Sequence, residues 1–127
     1  MTWIDELKYD AQGLIPAVIQ DATDKEVLMV AWMNKDSIID TVKTGKTHFW
    51  SRSRHKYWMK GEESGNVQLV KDLAYDCDKD VLVIQVEQVG GAACHTGHRS
   101  CFYMHVVDSV PKDTGVLVFD PSQVYKK

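Results

Sequence analysis

Short apolar segments separated by polar or glycine-bearing turns dominate this chain and limit the folds it can adopt. Strand character is found at residues 14–20, 27–33, 47–51, 67–76, 81–87 and 101–107, with a further short strand expected at 116–119. Strands outnumber helices, and the two do not alternate as they do in parallel βαβ folds. The pattern therefore predicts an α+β fold with a mainly antiparallel β-sheet and one or two helices.

One segment has a helical pattern, and it lies between Asn34 and Gly45. Asn34 is a typical N-cap residue, and glycine is typical of the position that follows the last helical turn. Ile38, Ile39 and Val42 recur at helical spacing, which predicts one apolar stripe facing the core.

Length and composition predict one globular domain spanning residues 1–127, with 44% hydrophobic and 26% charged residues. The net charge of -3 argues against a general nucleic-acid binder. The polar start MTWIDELKYD does not resemble a secretory signal, and no apolar run approaches the length of a membrane span. We therefore expect a cytoplasmic protein with neither a membrane nor a nucleic-acid partner.

The chain has three cysteines, Cys77, Cys94 and Cys101. An odd number without an export signal argues against a disulfide framework. For each cysteine alone, packing in the interior is the ordinary interpretation. The segment ACHTGHRSCF changes this, because its Thr-Gly-His centre lets the chain turn back, so that both of its cysteines could bind one metal ion.

Three thiolates and an open position would make a catalytic zinc site, since structural zinc usually has four protein ligands. A fourth ligand from His95 or His98 would instead close the site, and spacing alone does not choose between the two. A nucleophilic Cys94 activated by His95 ranks below zinc, because sequence neighbours in an extended chain rarely face each other. Arg99 is interpreted as a solvated loop residue.

Residues 76–80 read DCDKD. If this stretch is extended, Asp76, Asp78 and Asp80 share one face and Cys77 points to the other. Three carboxylates on one face repel one another unless a cation lies among them, and their oxygens suit Mg²⁺. The competing interpretation is a solvated acidic turn, which is the more common meaning of this motif taken alone.

The segment FWSRSRHKYWMKGEESG predicts binding of a phosphorylated aromatic ligand, within a long loop at residues 52–66. Guanidinium and hydroxyl groups suit phosphate oxygens, aromatic rings, including that of Tyr57, suit a base, and glycines allow close approach. A basic loop with core aromatics is the alternative. The residues that we assign to substrate binding are Trp50, Ser51, Arg52, Ser53, Arg54, Trp58, Lys60, Gly61, Glu62, Ser64 and Gly65.

In this order and spacing, FWSRSRHKYWMKGEESG, DCDKD and ACHTGHRSCFY closely resemble the phosphoribosyl-AMP cyclohydrolase family. The resemblance includes LIPAVIQD and VLMVAWMN and covers most of residues 14–107. It implies an enzyme of the third step of histidine biosynthesis. In that step water opens the adenine ring of N1-(5-phosphoribosyl)-AMP at the N1–C6 bond and yields the formimino aminoimidazole carboxamide ribonucleotide.

The resemblance also implies an intertwined homodimer with a zinc site shared between its subunits. Cys77 of one chain would join Cys94 and Cys101 of the other, and the acidic cluster of residues 76–80 would hold Mg²⁺. The chain is expected to be monofunctional, because it is too short for the pyrophosphohydrolase domain fused to some family members.

Histidine is the residue type best suited to proton transfer near neutral pH, and we assign the general acid/base role to His95. No role is assigned to the other histidines, which are His48, His55, His98 and His105.

Three other functions compete with this one. A zinc nucleobase deaminase would carry an HxE…PCxxC signature, which this sequence lacks. An RNA-binding module stabilised by zinc could use the basic and aromatic segment, but the net charge and the acidic cluster count against it. A purely structural metal protein remains the third alternative.

Overall fold

The computed structural model describes residues 1–120, and residues 121–127 of the expected domain lie outside the described part. Within residues 1–120 there are two helices and eight strands. Their bounds are α1 Thr2–Glu6, β1 Ile15–Asp21, β2 Val27–Met33, α2 Lys35–Thr44, β3 His48–Ser51, β4 Lys56–Met59, β5 Gln68–Tyr75, β6 Leu82–Gln88, β7 Met104–Val107 and β8 Val110–Asp113. Neither of these helices has the length and apolar character needed to cross a bilayer. The α+β class with mostly antiparallel strands is confirmed.

Four strands form one sheet in the order β2-β1-β6-β5, and the others form the hairpins β3–β4 and β7–β8. β1 pairs antiparallel with β2, and β5 pairs antiparallel with β6. The central pair, β1 and β6, is parallel. Parallel neighbours need a long crossover, and here the crossover contains β2, α2, the β3–β4 hairpin and β5. This pair has no βαβ signature, so the sequence pattern does not reveal it.

The core lies on one face of the central strands. Alternate residues of β1 and β6 are fully buried, as the two-residue period of a strand requires. α1, α2 and β3 cover this face. The fully buried apolar side chains in this layer are Ile4, Ile15, Ala17, Ile19, Ile38, Phe49, Leu82, Ile84 and Val86.

Helix α2 begins and ends where the sequence predicts. The Asn34 side chain accepts a hydrogen bond from the Ser37 backbone N–H at 2.9 Å, and Ser37 Oγ accepts one from the Asn34 N–H at 2.9 Å. This capping box satisfies two N–H groups that the first turn leaves without helical partners. Gly45 follows the helix with φ 74°, and its N–H donates to the Thr41 carbonyl at 3.0 Å.

The predicted apolar stripe of α2 is correct only in part. Ile38 is fully buried and Ile39 packs against the core, but Val42 is exposed. Thr41 occupies the buried position instead, because its hydroxyl donates to the Ser37 carbonyl at 2.8 Å and accepts the His48 N–H at 2.9 Å. A polar residue is therefore buried where the helix meets β3.

The long loop predicted at residues 52–66 is wrong in part, because β4 lies inside it. β4 pairs antiparallel with β3, with Phe49 opposite Trp58 and Trp50 opposite Tyr57. His55 ends the connecting turn with φ 50°. Cross-strand aromatic pairs stabilise a short hairpin of this kind, and basic residues obscure them in the sequence.

Other differences lie at the two ends of the chain. Helix α1 and strand β8 are not predicted. Strand β7 starts at Met104 and not at Cys101, because the Cys101 N–H donates to the Leu28 carbonyl of β2 at 2.7 Å. Residues 116–119 make no strand, and only an isolated bridge joins Leu117 to His98.

Candidate active site and metal-binding residues

A cavity of about 880 Å³ opens between β2, the β3–β4 hairpin, the turn after β4 and the loop that carries the C-terminal cysteines. Almost all residues assigned to substrate binding line it: Trp50, Ser51, Arg52, Ser53, Arg54, Trp58, Lys60, Gly61, Glu62 and Ser64. His95 and Cys101 lie in the same wall. The structure therefore brings the basic and aromatic segment together with the cysteine loop.

Glycine at positions 61 and 65 is explained by the backbone structure, which the sequence pattern did not indicate. Gly61 has φ 87°, and a Cβ there would lie 2.4 Å from the Val67 backbone nitrogen. The Gly65 N–H donates to the Gly61 carbonyl at 2.8 Å and closes a turn. Gly65 is not among the residues that line the cavity. Backbone packing, and not ligand approach, requires glycine at position 61.

Tyr57 does not lie where the sequence analysis expected it. Its hydroxyl donates to Asp40 Oδ2 of α2 and is 2.9 Å from Nδ1 of His48. Burial and this carboxylate partner raise the pKa of Tyr57 well above its usual value. Tyr57 and His48 thus join the hairpin to α2, and the flat surfaces in the cavity are tryptophans.

The thiols of Cys94 and Cys101 are neighbours, as the turn between them predicts. The Ala93 and Cys94 N–H groups donate to the Arg99 and His98 carbonyls at 3.0 and 3.2 Å. Cys101 is exposed as a residue, but desolvation of its thiol and the nearby Cys94 charge raise its pKa to about 12. Two adjacent thiols cannot both ionise without a cation between them.

Lys60 faces this pair of cysteines. Its ammonium group donates to the Ala93 carbonyl of the same loop. Burial lowers the pKa of Lys60, and the charges of Cys101 and Cys94 act against that shift. The ammonium group therefore lies beside the two cysteines, and it also lines the cavity.

His95 and His98 differ in their surroundings. His95 is exposed and borders the cavity. His98 stacks on Tyr103, with ring centroids 3.8 Å apart, and its Nδ1 is 2.7 Å from the Thr96 hydroxyl. Its Nε2 lies 3.4 Å from Asp113. Since the Thr96 hydroxyl also donates to Cys94 Sγ at 3.0 Å, His98 supports the cysteine loop through Thr96.

The DCDKD segment is a turn and not an extended strand, so the predicted alternation of faces is wrong. Lys79 has φ 61°, and its N–H donates to the Asp76 carbonyl at 3.0 Å. The turn still brings the three carboxylates together, because ligand oxygens of Asp76, Asp78 and Asp80 lie within 4.8 Å of one another. Cys77 is exposed on the same turn.

The carboxylates of this turn interact strongly. The Asp80 backbone N–H donates to Asp76 at 3.0 Å and holds the pKa of Asp76 below its usual value. The hydrogen bond between the two carboxyl groups raises the pKa of Asp80. A divalent cation would replace this shared proton and relieve the repulsion, so the donor set fits Mg²⁺.

One aromatic residue of the cavity was not predicted from the sequence. Trp32 lies in the apolar strand β2 and lines the cavity, with the Arg52 guanidinium carbon 4.2 Å from its ring centroid. A tryptophan in an apolar strand is ordinarily a core residue. No signal within VLMVAWM shows that this one borders open space.

Comparison with known proteins shows the family of this chain. The phosphoribosyl-AMP cyclohydrolase family model matches residues 29–103, which is more than half of the chain. The chain belongs to the phosphoribosyl-AMP cyclohydrolase family. It is 57% identical over 130 residues to the phosphoribosyl-AMP cyclohydrolase of Thiobacillus denitrificans, covering 98% of both chains. The Chromobacterium violaceum protein of the same name is 51% identical over 124 residues, covering 98% of this chain and 94% of that protein.

A bifunctional relative matches as well. The histidine biosynthesis bifunctional protein HisIE of Thermosynechococcus vestitus is 54% identical over 122 residues. The match covers 92% of this chain and 57% of that protein. This cyclohydrolase-family domain thus also occurs as part of a longer protein.

Cys94 and Cys101 of this cyclohydrolase-family member form a pair of possible metal ligands. Among residues 1–120, neither Cys77 nor a histidine joins Cys94 and Cys101 in a group of three ligands. Soft thiolates paired in this way suit zinc. The donor chemistry of the two thiols therefore fits zinc.

Arg99 is not a solvated loop residue, so that interpretation is wrong. Its guanidinium group pairs with Asp24 at 2.9 Å, with Asp21 at 3.6 Å and with Glu26. All three carboxylates lie on or beside the turn between β1 and β2. The Arg99 side chain, 25% exposed, therefore ties the cysteine loop to this turn.

We expect Arg99→Ala to lower the free energy of unfolding by about 1–3 kcal/mol, because three carboxylates then face one another without their cation. Urea denaturation followed by circular dichroism measures this change. Lys35→Ala is the control, since it removes one exposed ion pair, 2.7 Å from Asp5, and should leave stability nearly unchanged. An Arg99→Ala chain as stable as wild type would show that contacts other than the Arg99 ion pairs hold the loop.

Proposed function

We propose that this chain opens the adenine ring of phosphoribosyl-AMP by hydrolysis of the N1–C6 bond, the third step of histidine biosynthesis, and that the reaction depends on zinc. One observation carries the proposal. Cys101 lies at the wall of a cavity lined by tryptophans and arginines, and the thiol of Cys94 is next to it. The names of the close relatives support the same reaction.

The cavity divides into parts with different chemistry. The arginines and serines of residues 51–54 provide guanidinium and hydroxyl donors for substrate phosphates. The tryptophans provide faces on which the purine stacks. In this arrangement C6 of the purine lies towards Cys101 and His95, where the hydrolysis takes place.

His95 moves the proton in this mechanism. It takes a proton from the attacking water and returns it to the ring nitrogen as the N1–C6 bond breaks. Its exposure at the cavity wall leaves the imidazole free for this work. The cysteines would hold zinc, which would lower the pKa of that water towards neutrality. Asp76, Asp78 and Asp80 would hold Mg²⁺, which would neutralise phosphate charge.

The proposal includes an intertwined homodimer in which Cys77 of one chain completes the zinc site of the other. Two features support it. Within residues 1–120, Cys77 belongs to no group of three possible metal ligands. The β7–β8 hairpin pairs with no other described strand, and its region exposes many apolar side chains: Phe102, Met104, Val106, Val107, Val110, Val116, Leu117 and Val118. An isolated hairpin with such a surface needs a partner.

We also propose a cytoplasmic location and a single domain across residues 1–127. Thiols that bind zinc must stay reduced, which a reducing compartment ensures. The core formed by β1, β6 and α2 is continuous over the described residues and supports one domain.

The reaction itself is tested by the change in absorbance as purified chain opens the purine of phosphoribosyl-AMP. We expect turnover with zinc present and loss of activity after a chelator, restored when zinc is added back. Full activity in chelated protein with no bound zinc would exclude the proposed zinc dependence. Absence of ring opening with zinc and magnesium both present would exclude the reaction.

A shared zinc site predicts subunit complementation. Cys77→Ala and Cys94→Ala chains should each be inactive alone. Refolded together at equal amounts, they should recover about a quarter of wild-type activity, since half of the dimers are mixed and each contains one intact site of two. Zinc analysis of the mixed dimer checks the ligand count. A mixture that stays inactive, although mixed dimers form, would place all zinc ligands within one chain.

The role of His95 predicts that His95→Ala lowers kcat by about 10²- to 10⁴-fold while bound zinc is unchanged. Steady-state kinetics and metal analysis measure both. His55→Asn is the matched control, because His55 is exposed outside the cavity lining and asparagine tolerates its φ of 50°. Near-normal turnover of zinc-loaded His95→Ala would show that another group moves the proton.

A further inference from the structure

The stacking of Arg52 on Trp32 in the cavity is not explained by phosphate binding. The Arg52 guanidinium carbon lies 4.2 Å from the Trp32 ring centroid, a cation–π distance. Within residues 1–120, no carboxylate forms an ion pair with Arg52. The indole face is thus the main electrostatic partner of this guanidinium in the described structure. The contact shows that the Trp32 face is accessible from the cavity and accepts a cation.

The substrate of the proposed reaction brings its own cation to this cavity. Substitution at N1 of adenine makes the ring positively charged near neutral pH, whereas the base of AMP itself is neutral. An indole face attracts a charged ring by its quadrupole in addition to stacking. A neutral base gains only the stacking. Trp32 can therefore distinguish the two bases by charge.

We propose that the Trp32 face is the site that recognises the positively charged purine, and that Arg52 occupies this face until the substrate replaces it. The inference rests on the proposed function and adds a specificity-determining residue to it. Two cations do not share one ring face, so Arg52 leaves when the purine binds. The released guanidinium then meets a substrate phosphate, with which it forms stronger, charge-assisted hydrogen bonds.

The other tryptophans are less suited to this role. Trp58 packs against Phe49, with ring centroids 5.0 Å apart, so part of its surface is already covered. Trp3 stacks on Tyr75 and is not among the residues that line the cavity. Trp50 lines the cavity, but no cation–π contact to it is found within residues 1–120.

The test compares 1-methyl-AMP, whose base is positively charged and carries one added methyl group, with AMP, whose base is neutral, by isothermal titration calorimetry with the zinc-loaded protein at neutral pH. Wild-type protein should prefer 1-methyl-AMP by about 3- to 30-fold. Trp32→Leu should bind the two ligands almost equally, and Trp32→Phe should retain part of the preference. Trp3→Leu is the matched control and should leave the ratio unchanged. If Trp32→Leu weakens both ligands by the same factor, Trp32 is only a packing residue and the inference is wrong.

The exchange of Arg52 has its own test with 1-methyladenosine, which has the charged base but no phosphate. Arg52→Ala should bind this nucleoside about threefold or more tightly than wild type, because the ring face is already free. The same variant should bind 1-methyl-AMP less tightly and raise KM more than it lowers kcat. Equal affinity of wild type and Arg52→Ala for the nucleoside would show that Arg52 does not compete for Trp32.

Failure of this inference is distinct from failure of the proposed function. The protein could open the ring of phosphoribosyl-AMP and show a charge preference that does not depend on Trp32. That result would overturn the inference but not the proposed reaction. A preference for 1-methyl-AMP that depends on Trp32, in a protein that does not open the ring, would support the inference and exclude the proposed reaction.

Discussion

The candidate site depends on how the cysteine loop is attached to the sheet. The Cys101 N–H donates to the Leu28 carbonyl of β2 at 2.7 Å, and the neighbouring Ser100 hydroxyl donates to the Val27 carbonyl at 2.7 Å. Arg99 adds ion pairs to the turn before β2. These contacts bring Cys101, with Cys94 next to it, to the cavity that β2 borders. The same strand carries Trp32. Attachment of the cysteine loop to β2 therefore joins the thiols to the strand that provides the aromatic face.

Two groups of acidic side chains lie close together in the described part of the chain. One is the pair of thiols, where burial and the nearby Cys94 charge raise the pKa of Cys101 and the Lys60 ammonium group acts against that shift. The other is the acidic turn, where Asp76 raises the pKa of Asp80. Ionising both members of such a group is costly unless a positive charge lies beside them. The third thiol, Cys77, lies on the acidic turn, and among residues 1–120 it forms no group of three ligands with the other two thiols.

Sequence patterns predicted the helix between Asn34 and Gly45 well because capping is a local interaction between residues a few positions apart. They failed where a long-range contact decides the structure. The parallel pairing of β1 with β6, the short β4 and the role of Arg99 each depend on a partner distant in the chain. The DCDKD motif shows both outcomes, since its acidic residues converge as expected but through a turn and not through strand alternation.

The sequence alone determined the residue types of the site, its order of motifs and the family, because thiols, carboxylates, arginines and tryptophans carry the same chemistry in any fold. Only the tertiary structure decided which of them meet. It directed Tyr57 away from the cavity towards α2 and placed Trp32 within it under Arg52. The physical reason is that the side of a strand that faces open space depends on what packs against its other side. That packing comes from segments far along the chain, which no local pattern describes.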